Sequence, residues 1–129
     1  MIQTFIHYGL HFAIPFLIAF FFFRKEWQKV YFILLATMLV DLDHLLATPI
    51  FQANRCSIGF HYLHTFPAII FYFFLIFLKK PFRIIGIGLL FHMLTDLIDC
   101  LFIYKDCPDC TATAPAKTLL TSISNLLGL

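Results

Sequence analysis

Four long apolar runs limit how this chain can fold more than any other feature of its sequence. They cover about residues 5–23, 30–46, 60–78 and 84–104. Each approaches the roughly 20 residues that an α-helix needs to cross a hydrocarbon core of about 30 Å. Only 12% of the residues are charged, whereas a soluble domain carries about a quarter. Because a helix satisfies its own backbone in lipid, we predict an all-α, integral membrane four-helix bundle over residues 1–104.

The basic residues indicate how this bundle is oriented. They are concentrated in the short loops after the first and third runs, at Arg24, Lys25, Lys29, Lys79, Lys80 and Arg83. By the positive-inside rule both loops lie in the cytoplasm, so the N- and C-termini lie outside. The first run has no basic segment before it and no small-residue cleavage site after it, so we expect it to remain as a helix. The net charge of +2 gives no indication of a nucleic-acid partner.

The tail, residues 105–129, differs in composition from the bundle. Its last part, 119–129, is too short to span a bilayer, and we interpret it as a short amphipathic helix on the membrane surface. The four cysteines all fall on the predicted outer side, where disulfides persist. They allow three pairings, of which we favour Cys56 with Cys100 and Cys107 with Cys110. A reduced Cys107-x-x-Cys110 pair that binds a metal is the alternative.

Ten His and Asp side chains interrupt the apolar runs at a similar depth. Counted from the cytoplasmic helix ends, nine of them lie about 18 to 27 Å along their helices, in the outer leaflet, and His92 lies one turn deeper. They are His7, His11, Asp41, Asp43, His44, His61, His64, His92, Asp96 and Asp99. Each of them alone would be read as an interfacial or capping residue. An ionised group inside a membrane is costly, however, so ten at one level indicate a shared partner that neutralises them.

That partner is predicted to be a divalent metal, because imidazole and carboxylate are common metal ligands. Zinc fits this nitrogen and oxygen set best, with manganese or iron as alternatives. The predicted ligands are His7, His11, Asp41, His44, His61, His64, His92 and Asp96. They exceed the needs of one catalytic zinc, so either two ions bind or some residues orient the others. Asp41 and His44 share one face of an α-helix, whereas Asp43 points off that face, so it is the weaker ligand and a candidate for orienting a ligand or acting as a base.

Three other interpretations compete with a metal site. Paired His on facing helices can hold haem, although the neighbouring Asp residues disfavour a haem or redox protein. A structural network of hydrogen bonds without catalysis is the second. A metal carrier or channel is the third, and it would need polar residues continuing toward the cytoplasmic face, where the helices have almost none.

The order of the polar motifs resembles that of the bacterial inner-membrane metal-dependent hydrolases known as the YdjM-like family. In that family an early His is followed by Asp-x-Asp-His, His-Arg-Gly-x-Thr-His-Ser and His-x-x-x-Asp. The corresponding residues here are His7 or His11, then Asp41–His44, His61–Thr65 and His92–Asp96. The third motif lacks the Arg-Gly pair, and its two His are three residues apart instead of five. More narrowly, the chain resembles a compact bacterial family of four-helix membrane proteins of unknown function.

The resemblance implies a location in the bacterial inner membrane and metal-assisted hydrolysis. Within it, Asp43 or Asp99 would act as the general base. Arg55 would neutralise an anionic substrate, and the equally favoured alternative is that it is an ordinary loop residue. Because the site lies in the outer leaflet, the expected substrate is a lipid or a lipid-linked ester or phosphoester. The lipid bilayer and this substrate are the partners that the sequence predicts.

Overall fold

The computed structural model describes residues 2–128, and every regular element in that range is a helix. The five α-helices are α1 (Ile2–Phe22), α2 (Trp27–Ala36), α3 (Phe66–Leu75), α4 (Phe82–Asp106) and α5 (Lys117–Leu127). Short 3₁₀ helices cover Thr37–Leu46, Tyr62–His64 and Pro108–Thr111. The all-α prediction is therefore confirmed for the described residues.

Two of these helices, α1 with 21 residues and α4 with 25, are long and apolar enough to cross a membrane. The third apolar run differs from its predicted span of 60–78, since α3 has only ten residues, or about 15 Å. Pro67 in its first turn explains the late start, because the proline ring clashes with the backbone of a preceding helical turn. The residues before Phe66 instead form a loop and one short 3₁₀ turn.

The second run also departs from a continuous helix, because residues Thr37–Leu46 form a ten-residue 3₁₀ helix, hereafter the 3₁₀ segment. A 3₁₀ helix has three residues per turn, so positions three apart lie directly above one another. Thr37, Val40 and Asp43 follow this period and are the buried residues of the segment. Asp43 is only 4% exposed. The expectation that Asp43 points away from the site, which assumed α-helical spacing, is therefore wrong.

Helix α4 is the centre of the bundle, since α1, α2 and α3 all pack against it. Two glycines allow these approaches. A Cβ atom at Gly86 would lie 2.7 Å from Cβ of Leu75, and one at Gly88 would lie 2.6 Å from Oγ1 of Thr37. Both distances are too short for non-bonded atoms, so a larger residue would push α3 or the 3₁₀ segment away from α4.

Disulfide bonds join the loop and the tail to this central helix. Cys56 in the loop before α3 is bonded to Cys100 of α4, and Cys107 is bonded to Cys110 in the turn that follows α4. The tail helix α5 begins at Lys117, slightly before its predicted start, and packs against α4 through the fully buried Leu120. These links hold the loop and the tail at the end of the bundle that carries the His and Asp residues, hereafter the polar end.

Candidate metal centre

Four side chains from three elements meet in the middle of the polar end: Asp41, His64, His92 and Asp96, hereafter the central group. One potential ligand atom of each lies within 4.8 Å of the others. Oδ1 of Asp41 is 3.4 Å from Nε2 of His64 and 3.0 Å from Nε2 of His92. Oδ2 of Asp96 is 3.0 Å and 3.6 Å from the same two nitrogens. Two imidazoles and two carboxylates therefore point at one small volume.

These separations are close to those around a four-coordinate ion. Ligand atoms at the corners of a tetrahedron with bonds of about 2.0–2.1 Å lie about 3.3 Å apart. His64, His92 and Asp96 are 0%, 2% and 5% exposed. Nε2 of His64 and Oδ2 of Asp96 are buried without a partner in hydrogen-bonding geometry. Since unpaired buried polar atoms are costly, a cation between them would stabilise the arrangement.

Asp43 lies behind His64 and holds its ring. Its Oδ2 lies 3.1 Å from Nδ1 of His64 and accepts a hydrogen bond of 2.6 Å from the backbone N–H of Leu63. A carboxylate on one ring nitrogen favours the tautomer in which the other nitrogen is free to bind a metal. The hydroxyl of Tyr72 in turn donates to the Leu63 carbonyl at 2.9 Å. Sequence reasoning missed this support, because nothing in the spacing of Leu63 and Tyr72 reveals it.

A second convergence lies on the α1 side of the centre, where one potential ligand atom each of His7, His11 and Asp96 falls within 4.8 Å. We call these three residues the α1 group. Oδ2 of Asp99 contacts Nδ1 of His7 at 2.6 Å, and Oδ1 of Asp99 accepts a hydrogen bond of 3.3 Å from Gln3. Gln3 was not a predicted site residue. Its position four residues before His7 places both on one face of α1, and that spacing could have indicated it.

The other two predicted ligands, His44 and His61, lie together beside the central group, with ring centroids 3.7 Å apart. Nδ1 of His44 is 3.3 Å from Oδ1 of Asp41. Nδ1 of His44 is 3.0 Å from the backbone oxygen of Asp41, and its Nε2 is 3.2 Å from Oγ of Ser57. His44 also forms a third convergence with Asp43 and His64. Within residues 2–128, His61 belongs to none of the three groups. Ser57 was not predicted, since nothing in the sequence relates it to His44.

The family model that matches this chain is described as a family of unknown function, DUF6122, and it covers residues 1–103. The chain belongs to the DUF6122 family. No curated protein and no solved structure matches the chain. All ten His and Asp residues of the polar end lie within the matched part, so the candidate centre is inside the DUF6122 region. The family description itself assigns no activity to it.

Arg55 of this DUF6122 protein makes its contacts within its own loop. Its guanidinium donates hydrogen bonds of 2.6 Å to the Pro49 carbonyl and 2.9 Å to the Gln52 side chain. It also lies 4.8 Å from the centre of the Phe60 ring. These contacts stabilise the loop over the polar end, and any role of Arg55 toward an anionic substrate would have to be added to them.

Two cavities of the DUF6122 chain are lined in part by residues that neighbour the central group in the sequence or contact it. An apolar groove of about 480 Å³ between the 3₁₀ segment, α3 and α4 is lined in part by Val40 and Leu63, the immediate neighbours of Asp41 and His64. A separate, more polar cavity of about 340 Å³ is lined in part by Asp43 and His61. Residues that precede members of the central group in the sequence thus line an apolar space, and Asp43, which contacts His64, lines a polar one.

Proposed function

We propose that this DUF6122 protein is a membrane-embedded, metal-dependent hydrolase that acts on a lipid or lipid-linked ester or phosphoester. The observation that carries the proposal is the convergence of the central group, in which two buried imidazoles and two carboxylates have the spacing of ligands around one ion. The order of the motifs, similar to that of the YdjM-like hydrolases, supports the same chemistry. The location proposed with it is the outer leaflet of the bacterial inner membrane.

Exposed apolar side chains support the membrane location. Phe5 and Phe22 of α1 are both 78% exposed, and Phe71 and Phe77 beside α4 are 60% and 66% exposed. Soluble monomers rarely expose apolar patches larger than a few hundred Å². A lipid environment removes the free-energy cost of exposing these apolar side chains to water. Helix α2 and the 3₁₀ segment together extend about 35 Å, so a third element of the chain is also long enough to cross a bilayer.

The donor set fits a divalent cation with nitrogen and oxygen preferences, namely zinc, manganese or iron. A cation held by the central group would lower the pKa of a bound water and polarise the group to be cleaved. The alternative of a purely structural network is less well supported. A satisfied network would leave few buried polar atoms unpaired, yet Nε2 of His11 and Nδ1 of His92 have no hydrogen-bond partner.

A haem site is disfavoured by the space available. The cavity between His11 and His92 has a volume of about 10 Å³, enough for about one water molecule. A porphyrin does not fit between these two rings without a large separation of α1 from α4. The proposal of a small ion therefore agrees better with the packing than the proposal of a haem.

The residues around the ion ligands have separable roles in the proposed reaction. Asp43 orients His64 through Oδ2, while its buried Oδ1 lies 3.5 Å from Nδ1 of His44 and accepts no hydrogen bond. Because Asp43 also lines the polar cavity, we propose that this carboxylate accepts a proton from a water molecule entering there. Asp99, which contacts His7, is the second carboxylate predicted as a base, and its contacts with His7 and Gln3 make ring orientation its role here.

The apolar groove supports a lipid as the substrate. Its residues Val40 and Leu63 directly adjoin two members of the central group. An acyl chain lying in this groove would bring its ester or phosphoester end near the central group. A substrate with one apolar and one polar part matches a site whose neighbouring residues line one apolar and one polar space.

Metal content tests the central claim. Protein purified in detergent should contain zinc, manganese or iron, and the Asp41→Ala, His64→Ala double variant should lose it while remaining helical by circular dichroism. Asp106→Ala changes an exposed carboxylate at the end of α4 and is the matched control. Equal metal in the double variant and the wild type, or none in either, would overturn the metal centre.

Hydrolysis is tested separately in mixed micelles that contain phospholipids and lipid esters. The metal-loaded wild type should release product, and the Asp41→Ala, His64→Ala variant should not. If protein with stoichiometric metal cleaves no member of this panel, the enzymatic part of the proposal fails, while the metal-binding part stands on the first experiment.

A further inference from the structure

We infer that the polar end binds a second cation through the α1 group, His7, His11 and Asp96, with Asp96 shared between the two ions. This inference rests on the proposed metal centre and adds a second ion to it. The chemical class of the ligand is a divalent cation that accepts two imidazoles and one bridging carboxylate, and manganese, iron and zinc all meet that description.

The first support is the unpaired nitrogen of His11. This side chain is 3% exposed, and its Nε2 has no hydrogen-bond partner. It projects from the middle of α1 toward α4, where its ring centroid lies 4.7 Å from that of His92. The central group does not use this nitrogen. A buried imidazole without a partner is costly, and a cation that also contacts Asp96 would satisfy it.

The second support is that the two groups are built alike. In the central group, Asp43 contacts Nδ1 of His64 at 3.1 Å and fixes the ring. In the α1 group, Asp99 contacts Nδ1 of His7 at 2.6 Å and is itself held by Gln3. Carboxylates that hold one nitrogen of an imidazole are the usual partners of metal-binding histidines. Each side of Asp96 therefore has its own imidazole with its own supporting carboxylate.

The third support is the position of Asp96 between the two groups. It is 5% exposed, and it is the one residue common to the central group and the α1 group. In two-metal hydrolytic sites the ions lie about 3.5–4 Å apart, a distance that one carboxylate can bridge with its two oxygens. A shared Asp96 would serve both ions, while Asp99, the other carboxylate of α4 at the polar end, holds His7.

Charge gives the fourth support. Asp41, Asp43, Asp96 and Asp99 bring four negative charges to the polar end. With neutral imidazoles, one dication would leave two of these charges uncompensated in a largely buried site, whereas two dications balance all four. The nearest Arg, Arg55, is engaged with Pro49 and Gln52 in the loop and does not supply the missing charge.

The test uses the full chain in detergent, stripped with a chelator and reloaded with Mn²⁺ alone. After removal of free ion, the wild type should hold two Mn²⁺ per chain, and its low-temperature EPR spectrum should be that of an exchange-coupled pair. His11→Ala should hold one Mn²⁺ and give the spectrum of an isolated ion. His61→Ala, which alters a buried imidazole outside both groups, should keep two ions and the coupled spectrum.

The possible results distinguish the second cation site from the proposed metal centre. One ion per wild-type chain with an isolated-ion spectrum overturns the second site and leaves the proposed centre intact. No ion in the wild type overturns both. Two ions in His11→Ala also overturn the assignment of the α1 group. If His11→Ala does not fold, His7→Ala replaces it with the same expectation, and the wild-type stoichiometry still decides the question.

Discussion

The polar end and the apolar half of the bundle are held together in different ways, although α4 runs through both. At the polar end, α4 carries His92, Asp96 and the disulfide-bonded Cys100. In the apolar half, the same helix contributes Ile84 to a core with Ala19, Val30 and Leu34. There its two glycines, Gly86 and Gly88, let α3 and the 3₁₀ segment each pack closely against α4.

The difference indicates that the side chains of the central group are positioned in part by packing between residues that are not themselves candidate metal ligands. Gly88 meets Thr37, which begins the 3₁₀ segment, and Asp41 lies one turn farther along the same segment. Asp96 lies about two turns beyond Gly88 on α4. Shape in the apolar half thus sets the distance between the two carboxylates of the central group. Changes in the two halves should therefore have separable effects.

The largest effect is expected from Gly88→Leu, which breaks the apolar half. The added side chain overlaps Thr37, and overpacking of this kind costs about 1–3 kcal/mol. The displaced 3₁₀ segment should also lose its metal. Thermal unfolding in detergent and metal analysis measure both effects. Gly9→Leu is the matched control, because a Cβ atom there meets nothing within 4 Å. Equal melting temperatures for the two variants would contradict this account.

A smaller and more local effect is expected from Asp43→Asn at the polar end. It removes the charge behind His64 without changing the size of the side chain, so the fold should persist. Loss of such a supporting carboxylate typically lowers metal affinity by about 10–100-fold. Competition with a chelator of known affinity measures the change. Asp109→Asn in the exposed turn after α4 should have no effect, and an unchanged affinity for Asp43→Asn would separate Asp43 from the centre.

The smallest effect is expected at the basic loops, where Lys80 forms an ion pair with Glu26. The hydrogen bond and positive charge of Lys80 lower the pKa of Glu26. A lowered pKa means that the pair contributes stability above the unfolded pKa of about 4.3 and loses it as the pH falls through the folded value. Lys80→Ala should therefore lower the melting temperature slightly at pH 7. The difference should vanish at low pH, and a difference that grows on acidification would contradict the sign.

The fold was predictable where the sequence has long-range regularity. The apolar runs predict the helices, and counting residues along them places the His and Asp at one end. The 3₁₀ segment was not predictable, because whether the backbone bonds to the third or fourth residue depends on tertiary packing that the pattern of residue types does not reveal. The same residues as an α-helix would turn Asp43 outward, and for that reason its position was wrongly predicted.

The candidate site, too, was only partly predictable from the sequence. The sequence predicts that the His and Asp residues lie at a similar depth, and the structure contains a His and Asp group able to hold a metal. Which of the ten residues form the central group depends on backbone turns that composition does not specify. Pro67 delays the start of α3, so the segment that carries His61 and His64 is a loop and a short turn. His64 then reaches the centre, whereas His61 packs on His44.

The disulfide between Cys56 and Cys100 has a consequence for the integrity of the molecule. It closes a covalent ring that contains α3, the loop with Lys79, and most of α4. A single proteolytic cut after Lys79 would open this ring without releasing either piece. His64 and Asp96, on opposite sides of that cut, would remain tethered to each other. The nicked chain would migrate as one band on a gel until a reductant divides it into two.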